Sequence, residues 1–256
     1  MKSRDILIYL SIKHEGNWLQ IYDALQNKEE IDIGVAEQIV AAMKSKAVTI
    51  LDADYPKYLA KMPRAPFVLF YYGNLSLIDE YTNNLSVVGS RKYSSYGKTV
   101  TEDFVSKLAK NYNIVSGMAI GIDSIAHKTC IENGGNTIAV LGCGIDFCYP
   151  PSNKDLYKEI MENHLLISEY PGVTEPKPEN FPIRNRIIAA LSKATLLTEA
   201  RNGSGSSITA GWALEYNRDI LCVPNNIYSD SACNKWISEG AFLVEKVEDV
   251  FHFLGN

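Results

Sequence analysis

The residues best equipped for chemistry lie in four short stretches, each following an apolar run: Gly89-Ser90-Arg91, Gly117 to Asp123, Gly142-Cys143-Gly144, and Arg201-Asn202-Gly203-Ser204-Gly205-Ser206-Ser207. The last turns through two glycines and enters a helix whose first turn is rich in hydroxyls, Ser206-Ser207-Ile208-Thr209. Exposed N–H groups and the positive end of a helix dipole converge there, which makes a phosphate seat. The same residues also meet the plainer needs of a tight turn and a helix cap. The loop alone leaves both readings open.

These stretches do not match the familiar nucleotide loops or catalytic groupings. Gly97-Lys98-Thr99 imitates the end of a P-loop, but Lys92 occupies the position of its first glycine. Gly142-x-Gly144 lacks the third glycine of the dinucleotide fingerprint, because Phe147 stands there, and Tyr149-Pro150-Pro151 interrupts the helix that should follow. Asp123 and His127 are four apart on one expected helix, where they can face each other and orient a base. With no nucleophile marked beside them, they read as a structural Asp–His hydrogen bond. His14, His164 and His252 are isolated and not metal-spaced. No catalytic residue, metal site or cofactor is expected.

Positive charge does gather. Lys177 and Phe181 precede Arg184-Asn185-Arg186 at an expected helix start, and Arg91 and Arg201 end strands that open on the same edge. Five basic groups around an aromatic ring suit a single nucleic-acid strand, which needs phosphate contacts and a stacking platform. Two arginines at a helix start oppose the helix dipole, so an anion explains them better than helix stability does. The net charge of −5 argues against a general nucleic-acid coat and points to a few local contacts instead.

The elements that must position these groups follow from patterning. Apolar runs at Leu85–Val88, Asn113–Val115, Thr137–Leu141, His164–Ser168, Thr195–Glu199 and Ile220–Val223, with an edge strand at Ala241–Val244, alternate with amphipathic helices. One helix carries Val100, Phe104, Val105 and Leu108 on a face, another Ile208, Trp212, Ala213 and Tyr216. This alternation predicts an α/β fold with a Rossmann-like parallel sheet covered on both faces, and a ligand beyond the carboxyl ends of the strands. Residues 1–47 read as short helices with three apolar patches: Ile6, Leu7, Leu10 and Ile12, then Trp18, Leu19, Tyr22 and Leu25, then Val35, Ile39, Val40 and Met43. Val48 to Asn84, with the apolar strand Phe67 to Tyr72, reads as a connector packed onto the next domain. The expected domains are therefore 1–47 and 48–256. A composition of 46% hydrophobic and 21% charged residues supports a real core without staples. The five cysteines form no CxxC pair and read as reduced thiols of a cytoplasmic protein, and no apolar run is long enough to span a membrane.

The strings SVVGSR (86–91), IVSGMAIGIDSIAH (114–127), GGNTIAVLGCGIDFCYPPSN (134–153), ISEYP (167–171), FPIRNRIIAALS (181–192), EARNGSGSSITA (199–210) and EGAFLV (239–244) resemble, in this order, the DprA/Smf family of DNA-processing proteins. YPKYLAKMPRAPFVLFYYGN (55–74) is similar to the family's lead-in. The resemblance implies an extended Rossmann-like domain preceded by a small helical SAM-like domain over residues 1–47. It also implies single-stranded DNA binding, a homodimer, and loading of the recombinase RecA during natural transformation. By position it assigns the DNA pocket to Gly89, Ser90, Arg91, Lys177, Phe181, Arg184, Asn185, Arg186 and Arg201 with the loop Gly203, Ser204, Gly205, Ser206 and Ser207. Trp236, Phe242, Val250 and Phe251 offer apolar surface for a dimer, or else close the core. The chain departs from the family where Pro224-Asn225-Asn226 replaces a glycine-rich stretch and Ser231-Ala232-Cys233-Asn234 replaces a glycine before asparagine. The main alternative is a nucleotide-hydrolysing Rossmann enzyme of the lysine-decarboxylase-like group. Registering Gly205-Ser206 on its loop puts Thr209 where its catalytic glutamate should be. A protein-only adaptor is a third class, and the uncompensated basic cluster argues against it.

Overall fold

Strand formation follows the runs of β-branched and aliphatic residues, which are buried on both faces and so need no alternation. The computed structural model describes residues 2–255. Three helices lead: α1 (Ser3–Lys13), α2 (Trp18–Gln26) and α3 (Ile33–Ala41). Then come β1 (Lys46–Thr49), α4 (Lys57–Ala60), β2 (Val68–Gly73), β3 (Asn84–Val88), α5 (Ser95–Leu108), β4 (Asn113–Gly117), α6 (Ile122–Glu132) and β5 (Thr137–Leu141). The chain continues through α7 (Lys154–Asn163), β6 (Leu165–Ser168), α8 (Asn180–Ala190), β7 (Ala194–Leu197) and α9 (Gly205–Glu215). It closes with β8 (Asp219–Cys222), α10 (Ala232–Ser238), β9 (Phe242–Leu243) and α11 (Val247–Leu254).

The strands form one sheet in the order β1-β2-β6-β5-β4-β3-β7-β8-β9. From β6 to β9 all pairings are parallel, so the Rossmann-like α/β reading holds. The correction lies at one edge. β1 pairs antiparallel with β2, and β2 antiparallel with β6 (Phe70 opposite Ser168, Gly73 opposite Leu165). The segment read as a connector is therefore part of the sheet.

Two helical layers cover that sheet. Leu59, Ile187, Ile188, Leu191, Ala210 and Ala213 pack on one face, and Phe104, Val105, Leu108, Ala126, Val250 and Leu254 on the other. Each fully buried Leu, Ile or Phe among them stabilises by roughly 1.5–3 kcal/mol. Leu7 and Ile8 of α1 join Val68 and Phe70 of β2 in a third cluster, which fastens the N-terminal helices to the sheet edge. The patches expected in those helices are partly wrong: Leu19, Tyr22 and Val35 are exposed, while Ile21, Ala24 and Ala36 are buried against Tyr9 and Leu10. Similarly, α9 buries Ser206, Thr209, Ala210 and Ala213 and leaves Ile208 exposed. Among the described residues no helix is long and apolar enough to cross a membrane.

Candidate nucleic-acid interface

Strand order reverses between β3 and β7, the topological switch point at which open α/β sheets bind ligands. A cleft of about 600 Å³ lies there, lined from the β3 loop by Gly89, Ser90, Arg91 and Lys92 and from the β7 loop by Arg201, Ser204, Gly205 and Ser206. Its third wall is α8, which contributes Phe181, Arg184 and Asn185, with Asp123 at the start of α6.

Sequence chemistry explains each wall. The β3 loop bends tightly because Ser90 N–H donates to the Glu199 carbonyl (2.7 Å), while Lys92 N–H donates to the Ser90 hydroxyl (3.1 Å). A Cβ on Gly89 would stand 2.7 Å from that same carbonyl. In the β7 loop Gly203 takes φ +66°, and Ser204 caps α9 by accepting from Ser207 N–H (3.4 Å). The Ser207 hydroxyl accepts from the Trp236 indole (3.2 Å), so it is engaged inside the fold. Asn185 donates to the Gly205 carbonyl (2.9 Å) and accepts from Arg184 Nε (3.2 Å), tying α8 to the start of α9. Ser86 of β3 lies 2.8 Å from the Ile188 carbonyl and fixes the height of α8 over the sheet.

Phe181 stands between two guanidinium groups, with Arg91 5.7 Å and Arg184 5.9 Å from its ring centre. Tyr149 tilts against it at 5.6 Å. The ring separates the main cleft from a recess of about 90 Å³ lined by Arg91, Gly142, Tyr149 and Arg184. A Cβ on Gly142 would meet the Phe181 ring at 2.7 Å, and one on Gly117 would meet Asp123 at 2.6 Å and Arg184 at 2.7 Å. Glycine at both positions thus admits the cleft side chains to the backbone.

Arg184 is buried and donates to the Val140 carbonyl. Burial pulls its guanidinium below the ordinary value, partly offset by Asp123. Burial also lifts the Asp123 carboxyl to about 6, against the charge of Arg184 and hydrogen bonds from Ala119 and Ser116. The cleft therefore sets Arg91, Lys92, Arg184 and Arg201 against one carboxylate. Arg91, Lys92 and Arg201 are exposed and free to meet phosphates.

Four of the expected residues do not line this cleft: Gly203 and Ser207 shape the β7 loop without facing it, and Arg186 and Lys177 lie elsewhere. Arg186 points to the opposite side of α8, where Nη2 donates to both oxygens of Glu169 (2.7 and 2.9 Å) and to the Arg64 carbonyl (3.0 Å). The reason is helical phase: residues two apart on a helix face nearly opposite directions. Lys177 pairs with Glu15 at 2.8 Å on the surface beside the cleft. Both line a second, larger cleft of about 730 Å³ against the N-terminal helices. Its cations Lys13, Arg64, Lys177 and Arg186 are matched by Glu15, Glu169, Glu179 and Glu215, so it offers a polyanion no net attraction.

The expected Asp123–His127 bond does not form. The His127 ring nitrogens sit 2.6 Å from Thr137 Oγ1 and 2.7 Å from the Gly117 carbonyl, and burial lowers its pKa to about 4. Asp123 turns to the cleft instead. Lys92 and Tyr149 are cleft residues left out of the expected site, and Asp123, read as a structural partner of His127, is a third. Lys92 follows Gly89-Ser90-Arg91 directly, a signal that was present; nothing local marked Tyr149. Among the described residues no group of three or more metal-ligating side chains gathers.

The family described as DNA recombination-mediator protein A matches residues 46–255. Protein Smf of Synechocystis is 40% identical over 209 residues, covering 80% of this chain; the chain spans about half of that relative, 52% of its length. DNA processing protein A from Streptococcus pneumoniae has a crystal structure similar to this one at TM-score 0.84 and 33% identity, over 98% of each chain. DNA processing protein A from Helicobacter pylori, described for its single-stranded DNA binding mode, matches at TM-score 0.75 and 27% identity, over 84% of this chain and 97% of its own.

Proposed function

The chain belongs to the DNA recombination-mediator protein A family, and on that premise we propose that it is a recombination mediator whose cleft between β3 and β7 binds single-stranded DNA. The observation that carries this reading is that Arg91, Lys92, Arg184 and Arg201 line one cleft with Phe181, whose ring lies against Arg91 and Arg184. Phosphates take the cations and the N–H groups of Gly205 and Ser206 at the start of α9, while a splayed base stacks on Phe181 or enters the recess beside Tyr149. A paired duplex keeps its bases inside and offers no ring to that aromatic. The H. pylori relative's single-stranded DNA binding supports the assignment. Gly89, Ser90, Asn185 and Ser207 serve by shaping the walls. Lys177 stands at the rim, and its exposed pair with Glu15 is weak enough for a phosphate to compete.

As the finer reading, the bound strand is handed to the recombinase RecA during natural transformation, in the cytoplasm, by a homodimer with residues 1–47 as a SAM-like unit. No turnover belongs to this function, since Thr209 lines the cleft where a nucleotide hydrolase would need its glutamate, and its hydroxyl donates to the Gly205 carbonyl (3.2 Å). A gel-shift comparison of a single strand with the blunt duplex of the same length and sequence tests the proposal. The single strand should bind at least about 10-fold more tightly; equal affinity would reject it.

A further inference from the structure

Ile227 and Tyr228 are the most exposed large apolar residues of the described chain, at 81% and 92%. They form the tip of the loop between β8 and α10, the stretch where Pro224-Asn225-Asn226 departs from the family's glycine-rich sequence. The asparagines hold the loop in shape. Asn225 and Asn234 exchange two hydrogen bonds of 2.9 Å, and Asn226 accepts from Tyr228 N–H at 2.9 Å. The tip is thus held outward by an ordered base.

The loop is fastened to both flanks of the cleft. The Tyr96 hydroxyl, on the helix that follows Arg91 and Lys92, donates to the Pro224 carbonyl at 2.8 Å. Asn202, next to Arg201, donates to Asp230 at 2.6 Å. Because β8 runs parallel beside β7, its loop opens on the same edge of the sheet as the arginines. The nearby cations Arg91, Lys92 and Arg201 are exposed, while Asp230 is engaged by Asn202 and Glu199 is turned onto the Ser94 hydroxyl at 2.6 Å.

We propose that Tyr228 and Ile227, with the half-exposed ring of Tyr96, form an outer stacking step that continues the strand path from the arginine cleft over the β8 loop. This rests on the reading of the cleft as a single-stranded DNA site. A partner with flat apolar faces joined by anionic links fits an apolar tip bordered by cations, and base–aromatic stacking tolerates any sequence. Strands long enough to reach the tip gain from it; strands that only fill the cleft do not.

The test is fluorescence anisotropy with oligothymidylates of about 4 and about 20 nucleotides, spanning the usual range of single-strand site sizes. Tyr228→Ala should weaken binding of the longer strand by about 5- to 10-fold and leave the shorter unchanged. Tyr228→Phe, which keeps the ring, should bind both as the parent does. Equal affinities of Tyr228→Ala and parent for both lengths would overturn the outer step. So would an equal loss at both lengths, or a change confined to self-association measured by sedimentation. Arg91→Ala separates the underlying reading: it should weaken both lengths, and parental affinity for both would reject the cleft itself.

Discussion

Replacing Arg186 by alanine asks whether this residue serves the strand or the fold. Its side chain and that of Glu169 are 3% and 5% exposed, and one guanidinium nitrogen binds both carboxylate oxygens. Removing it leaves a buried, unpaired carboxylate, which costs about 3–5 kcal/mol. For a chain of this size that lowers the melting temperature by about 10 °C. Burial already raises the Glu169 pKa despite Arg186, and losing the cation raises it further. Between the ordinary carboxylate value and that raised value, the folded state holds a proton that the unfolded state has released. Stability from Glu169 therefore falls as pH rises through that window and returns as pH falls. The melting-point gap between parent and Arg186→Ala should be widest near pH 7 and should narrow towards pH 5. Adding Glu169→Gln should recover part of the loss. Single-strand affinity, measured well below the melting transition, should match the parent. The reasoning is refuted if the variant melts with the parent, if the gap ignores pH, or if DNA affinity drops while stability does not.

Two further outcomes follow from the cleft. With Arg91, Lys92, Arg184 and Arg201 as phosphate contacts, log K should fall against log salt with a slope of about −3, and Arg91→Ala or Arg201→Ala should each make it shallower by about 0.7; anisotropy titrations that return the parental slope for both would remove these arginines from the contact set. Asp123, facing Arg184, Arg91, the Ser116 hydroxyl and the Ala119 N–H, titrates near 6, so single-strand affinity should rise as pH falls through 6, on the order of 5-fold for one charge removed at close range, and Asp123→Asn should bind at the low-pH level throughout. Parallel pH profiles for the two proteins would contradict this.

The parallel core was legible because doubly buried strands read as plain apolar runs, and strands such as Thr137–Leu141 coincide in sequence and structure. The sheet edge was less so. Phe67 to Tyr72 reads as a strand, but its place beside β6 depends on pairing between residues about a hundred positions apart, such as Phe70 with Ser168, and local pattern carries no such information. The cleft loops were legible for a topological reason: parallel strands bring their carboxyl ends to one edge, so Gly89-Ser90-Arg91 and Arg201 to Ser207 had to meet. What failed was phase. Arg184 and Arg186 were grouped by proximity in sequence, although a spacing of two on a helix already sets them apart. Asp123 and His127 had the right spacing, but Thr137 and the Gly117 carbonyl, on neighbouring strands, claimed the histidine first.

The recesses at Gly117 and Gly142 have a thermodynamic consequence. Arg184 and Phe181 are wedged against bare backbone and hold one arrangement before any strand arrives. Ordering a flexible side chain on binding ordinarily costs about 0.5–1.5 kcal/mol. Arg184 has met that cost during folding, whereas the exposed Arg91, Lys92 and Arg201 would meet it on closing on a phosphate, as proposed. On the proposed reading, the cleft divides its entropy between an inner cation fixed by folding and three exposed outer ones.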